Sequence, residues 1–147
     1  MKQKTWVSVG VLALLALLAV ACGTASPAAE GSPAGGEFSK NADGYADIGM
    51  EQLAGMLDDG SLTLINVHIP YEGEIPGTDL FIPFDEIADY LDQLPDKDAP
   101  IVLYCRSGSM STSAARDLAA LGYTNVLEVD GGFNAWKAAG YELLDNR

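Results

Sequence analysis

Cys105 ends an unbroken apolar run, Ile101-Val102-Leu103-Tyr104, and is followed by Arg106-Ser107-Gly108-Ser109-Met110-Ser111 and then by a helical pattern. A thiol placed between a buried strand and a helix faces the first backbone N–H groups of that helix. Those groups lack partners inside the helix and favour an anion. The same surroundings lower a thiol's pKa and hold it as the thiolate, the form that attacks. Gly108 lets the loop curl with its amides inward, and Arg106 adds a cation. Ser107, Ser109 and Ser111 each offer a hydroxyl, either to the site or as helix caps. The pattern predicts a cradle for a charged sulfur or an oxyanion, with Cys105 as its nucleophile.

The other residue types narrow the chemistry. The chain has two cysteines, Cys22 and Cys105, so no second thiol stands near Cys105 to make a dithiol redox pair. His68 is the single histidine, with no cysteine, histidine or carboxylate motif around it; it reads as a surface residue, not a metal ligand or a catalytic base. Asp85, Glu86, Asp89, Asp92, Asp96 and Asp98 read as a solvated acidic face, and their spacing carries no calcium-loop signature. With 21 acidic against 8 basic residues in 147, a net charge of −13, the chain is a poor partner for phosphate backbones, which excludes nucleic-acid binding as its task.

The elements that must position Cys105 follow from hydrophobic spacing. Met50, Leu53, Ala54 and Leu57 predict a helix over 50–58, stopped by Asp59-Gly60. Leu62 to Val67 predicts a buried strand and Leu80-Phe81-Ile82 a short one. Ile87, Ala88, Leu91 and Leu94 predict a helix over 85–94. The strand 101–104, a helix over 111–121 stopped by Gly122, the strand 126–129 and a helix over 133–139 complete the order, with Trp136 anchoring the last helix on the sheet. Strands alternating with helices argue for a parallel α/β sheet, with the site beyond the carboxyl ends of its strands.

The N-terminus reads as an address. Lys2 and Lys4 precede an apolar run from Val11 to Ala21. A helix from Thr5 to Ala21 would reach about 25 Å, short of the roughly 30 Å hydrocarbon core, so 1–21 is read as a cleaved signal peptide. Leu18-Ala19-Val20-Ala21-Cys22 resembles the lipobox of bacterial lipoproteins, with Cys22 the lipidated residue, although Ala19 stands where leucine is usual. Ala19-Val20-Ala21 also fits an ordinary Ala-x-Ala site, which would leave a secreted or periplasmic soluble protein. Residues 22–44 form the anchor cysteine and a linker; from Gly23 to Gly36 every residue except Glu30 is Gly, Ala, Ser, Thr or Pro. The domain is assigned to 45–147, a monomeric head held off the outer face of the cell membrane.

From Tyr45 to Leu143 the chain resembles the single-domain rhodanese-like sulfurtransferases. Cys105-Arg106-Ser107-Gly108 is similar to their Cys-Arg-Ser-Gly-x-Arg loop. Gly131-Gly132-Phe133-Asn134-Ala135-Trp136-Lys137-Ala138-Ala139-Gly140-Tyr141 resembles their Gly-Gly-x-x-x-Trp-x-x-x-Gly-Tyr closing segment. Ile75-Pro76-Gly77 with Ile82-Pro83 resembles their His-Ile-Pro-Gly-Ala…Ile-Pro stretch. The resemblance implies an α/β, three-layer fold with a central, mainly parallel sheet of about five strands flanked by helices. It implies that Cys105 carries sulfane sulfur as a persulfide from a donor, thiosulfate or a persulfide or polysulfide, to a thiol or cyanide acceptor. Residues 106–111 would be the substrate-binding loop, and the resemblance implies no metal and no organic cofactor. Related phosphatases have a loop one residue longer that ends in Arg; Ser111 at that place counts against phosphatase chemistry.

The departures matter as much. Met110 stands where the family's loop closes on Arg, Asn66-Val67-His68 where it has Asp-Val-Arg, and Glu74 where it has His. They weaken attraction for a dianion and leave a second reading open: a non-catalytic rhodanese-like binding or redox-sensing module tethered at the membrane.

Overall fold

The computed structural model describes residues 38–145, so the expectations for 1–21, for Cys22 and for the linker up to residue 37 lie outside the described residues. Within them the order is β1 (Ala46–Ile48), α1 (Met50–Asp59), β2 (Thr63–Asn66), β3 (Leu80–Phe81), β4 (Ile101–Tyr104), α2 (Ser109–Ala120), β5 (Val126–Val129) and α3 (Gly132–Ala138). The five strands form one sheet in the order β1-β5-β4-β2-β3, and every pairing is parallel. The α/β three-layer expectation therefore holds.

Central strands of a parallel sheet are covered on both faces, which is why β4 and β5 are buried at every position. Alternation along β4 sends Ile101 and Leu103 into one core with Ala114, Ala115 and Leu118 of α2. Val102 and Tyr104 enter the other, with Leu53 and Met56 of α1 and with Phe133 and Trp136 of α3. The Trp136 indole N–H donates to the Glu142 carbonyl at 3.0 Å, and its ring stacks on Tyr141, so the expected anchor is in place. At the end of α1, Gly60 takes a left-handed conformation at φ 62° and returns its N–H to the Leu57 carbonyl.

Three expectations are corrected. Residues 85–94 are not an α-helix: a single 3-10 turn at Ile87–Asp89 is followed by further turns held by i to i+3 bonds, such as Gln93 N–H to the Tyr90 carbonyl. Ile87, Leu91 and Leu94 still pack on the α2 side of the sheet, so their apolar spacing is satisfied without a helix, while Ala88 is exposed. All six acidic residues of the expected solvated face are exposed. Residues 38–44, assigned above to the linker, belong to the head: Phe38 packs on the α1/α3 core and Asp43 pairs with Arg116 at 2.9 Å. Helix α2 starts two residues early, at Ser109, which brings its N-terminus directly onto Cys105.

Candidate active site

Cys105 follows the last residue of β4 and is a buried, free thiol. Gly108 caps α2 with φ 104°, a conformation that favours glycine, and its N–H donates to Cys105 Sγ at 3.1 Å. The Ser111 hydroxyl lies 3.4 Å from the same sulfur. Burial alone would push the thiol up. The Ser111 hydroxyl and the backbone amides of Ser111, Ser107 and Gly108 outweigh burial, so the thiol sits below its ordinary range.

A second helix end holds the loop from behind. The Phe133 N–H donates to the Cys105 carbonyl at 2.9 Å and the Asn134 N–H to the Arg106 carbonyl at 3.0 Å. The approach demands glycine, since a Cβ on Gly132 would stand 2.1 Å from the Cys105 oxygen, and its φ is 53°. The Gly131-Gly132 pair thus sets the position of the Cys105 peptide.

The expected loop residues divide by environment. Arg106, Ser107 and Ser109 are exposed on the rim, Gly108 and Ser111 lie at the sulfur, and Ser111 is fully buried. Ser111 and Ser109 do not cap α2, whose N-cap takes no side-chain bond. Met110 is half-buried and packs against the α2-side core, so it enters the loop as an apolar group and not as a donor. The Arg106 guanidinium is half-committed: its Nη1 lies 3.3 Å from Glu72 Oε1.

His68 is not a surface residue. It is only 4% exposed, because the chain leaves β2 beneath α3 and packs the imidazole edge-on against Phe133, 5.4 Å between centroids. Its Nε2 stands 3.4 Å from Glu72 Oε2, so Glu72 faces both His68 and Arg106 across the rim. Buried Asn66 orders this crossing, accepting from the His68 N–H at 3.0 Å and donating to the Gly73 carbonyl at 3.1 Å. The Tyr104 hydroxyl accepts from the Ile75 N–H at 3.0 Å and shares a hydrogen bond with Thr78; burial pushes its pKa up to about 12.

Sequence reasoning missed Glu128. It sits in β5 on the α2 side of the sheet, 2% exposed, and accepts from the Ser111 hydroxyl at 2.5 Å. Burial is the main cause that pushes its pKa up to about 7; the Ser111 bond pulls down, and Asp130 and Asp47 push up further. The available signal was one charge inside Val126-Leu127-Glu128-Val129, an otherwise apolar strand. Carboxylate oxygens of Asp47, Glu128 and Asp130 lie within 4.8 Å of one another. Their joint effect here is mutual repulsion, which favours a proton on the buried member.

Comparison with known proteins matches residues 49–139 to the Rhodanese-like domain. The chain is 31% identical over 104 residues to a thiosulfate sulfurtransferase GlpE of Pseudoalteromonas translucida, covering 69% of this chain and 97% of that protein. It is 34% identical over 102 residues to a sulfurtransferase of Allochromatium vinosum, covering 67% and 94%. Among solved structures, a rhodanese-like domain protein of Staphylococcus aureus superposes with a TM-score of 0.57 at 28% identity, covering 67% of this chain and 98% of that one.

Proposed function

The chain belongs to the rhodanese-like domain family, and we propose that it is an exported sulfurtransferase that moves sulfane sulfur through a persulfide on Cys105. The observation that carries the chemistry is the sulfur's setting: Gly108 N–H at 3.1 Å and the Ser111 hydroxyl at 3.4 Å, at the N-terminus of α2. Backbone amides fixed in place before the reaction stabilise a charged sulfur without reorganising.

In the first half-reaction the Cys105 thiolate attacks the outer sulfur of the donor. The donor's S–S bond breaks, and its electron pair leaves on sulfite when the donor is thiosulfate, or on a thiolate when it is a persulfide or polysulfide. In the second, cyanide or a thiolate attacks the outer sulfur of the Cys105 persulfide and the pair returns to Cys105. Met110 adds no charge to the loop and Glu72 shares Arg106, so the site favours a donor of lower charge, such as a persulfide on another molecule, over the thiosulfate dianion.

The leader supports export and an anchor: Lys2 and Lys4, the apolar run to Ala21, and Cys22 ahead of a Gly/Ala/Ser/Pro tether. The test of the chemistry is intact mass of the reduced full-length chain after thiosulfate and, separately, after polysulfide. One added sulfur atom is expected, removed by cyanide and absent from a folded Cys105→Ser chain. A Ser variant that loads sulfur equally, or a folded wild type that loads from neither donor, refutes the persulfide reading. For the anchor, Cys22→Ser should move the protein from the membrane to the soluble fraction of an expressing bacterium, and an unchanged distribution refutes lipidation.

A further inference from the structure

We propose that Glu128 is a positioning residue that holds the proton of the Cys105 thiol through Ser111, so that nucleophile and buried carboxyl share one proton. The proposal rests on Cys105 being the nucleophile, and the geometry supplies the rest. The Ser111 oxygen stands 3.4 Å from Cys105 Sγ, 2.5 Å from Glu128 Oε1 and 3.0 Å from the Gly108 carbonyl. A serine hydroxyl has one proton and accepts as well as donates. When Glu128 is ionised, that proton points to the carboxylate and the sulfur loses a donor. When Glu128 is protonated, its O–H donates to Ser111, and Ser111 turns its proton to the sulfur.

The transfer balances in atoms and charge. The S–H bond of Cys105 breaks as its proton goes to the Ser111 oxygen, the original Ser111 O–H bond breaks, and that proton bonds to Glu128. A thiol and a carboxylate become a thiolate and a carboxylic acid, with no change in net charge. Ser111 is unchanged after the exchange.

The neighbours favour the thiolate form of this pair. Glu128 is faced by Asp47 from β1, its cross-strand partner, and by Asp130 just beyond β5. On the α2 side its contact is the neutral Ser111, while the Arg116 guanidinium of the same helix is bound to Asp43 at 2.9 Å. On β4 its partner Leu103 is apolar, and Cys105 follows two residues later. Among these groups, negative charge is better placed on Cys105, against three amides, than on Glu128, against two aspartates. Such a pair titrates as a unit, in two steps that belong to neither residue alone.

The test reads the thiolate and not sulfur transfer, so it stands or falls separately from the proposed activity. Full-length protein is alkylated with iodoacetamide across about pH 5 to about pH 10, and Cys105 is followed by mass spectrometry in the tryptic peptide from Asp98 to Arg106. The wild-type rate should rise in two steps, the larger as the pair loses its first proton and the smaller as it loses its second. Glu128→Gln carries a permanent donor to Ser111 and no charge; it should rise in one step and reach full rate about one to two pH units lower. In a Ser111→Ala background the same Glu128→Gln change should lose most of that shift. Coincident wild-type and Glu128→Gln profiles, or an undiminished shift without Ser111, overturn the proposal. If Glu128→Gln does not fold, the infrared band of a buried carboxylic acid is followed in the wild type before and after Cys105 is capped with iodoacetamide. Its midpoint should move to lower pH on capping, and an unmoved midpoint overturns the proposal equally.

Discussion

Replacing Gly132 with alanine tests whether α3 sets the position of Cys105, the proposed nucleophile. The new Cβ would stand 2.1 Å from the Cys105 carbonyl oxygen, 2.8 Å from the Arg106 carbonyl carbon and 2.9 Å from the Cys105 carbonyl carbon. All three are backbone atoms, so no flexible side chain can swing away. Relief requires about 1 Å of separation, enough to stretch the bonds from Phe133 and Asn134 to the two loop carbonyls. The left-handed backbone at φ 53° costs about 1–2 kcal/mol for a non-glycine residue, and the two bonds contribute about 1 kcal/mol each. The expected loss is about 3–5 kcal/mol with residual strain included. A shift of about 1 Å at the nucleophile should lower kcat/KM for sulfur transfer by about a hundredfold. Gly140→Ala is the control, with φ 93° and nothing within 4 Å of the new atom, so it carries the backbone strain alone. Denaturant unfolding and a thiocyanate-forming assay on both variants decide it. If Gly132→Ala is no less stable than Gly140→Ala and equally active, the contact between α3 and the Cys105 peptide does not position the loop.

Two further outcomes are expected besides those attached to the proposals. Met110→Arg restores a cation to the loop and should lower KM for thiosulfate by about tenfold, with little change for an uncharged sulfane donor; an unchanged or higher KM refutes the reading of that position. Glu128 titrates higher folded than unfolded, so its contribution to stability is complete below about pH 4.5 and is lost as pH rises through about 7. The wild-type Tm should therefore fall between about pH 5 and about pH 8 more steeply than that of Glu128→Gln, and parallel curves by calorimetry would refute a raised Glu128.

What the sequence made legible was the chemistry of short windows. Ile101 to Tyr104 reads as a strand because every position is apolar, and Cys105 with Gly108 reads as an anion cradle because only a few residue types build one. The 85–94 segment misled because Ile87, Leu91 and Leu94 need only reach one surface, and a chain of turns between Pro83 and Pro95 takes them there. Strand β1 went unread because three residues, Ala46 to Ile48, are too few to show a period. His68 and Glu128 were beyond local reading for a shared reason. Their burial is imposed from elsewhere in the chain, by Phe133 in one case and by α2 with β1 in the other.

The placement of charge around Cys105 ties these observations together. A thiolate could be stabilised by cations, but Arg106, next in the chain, points across the rim to Glu72, and Met110 contributes none. The sulfur is held instead by amide dipoles from Ser107, Gly108 and Ser111, and Glu128 lies on the far side of Ser111. Dipoles fixed by φ 104° at Gly108 and by the α3 clamp do not attract a diffusing dianion from a distance. They act only on an anion already formed at the sulfur. Such a site stabilises the charge on Cys105 without drawing charge toward it, and on the proposed chemistry that suits donors that arrive by contact, such as a persulfide on another molecule, better than free thiosulfate in solution.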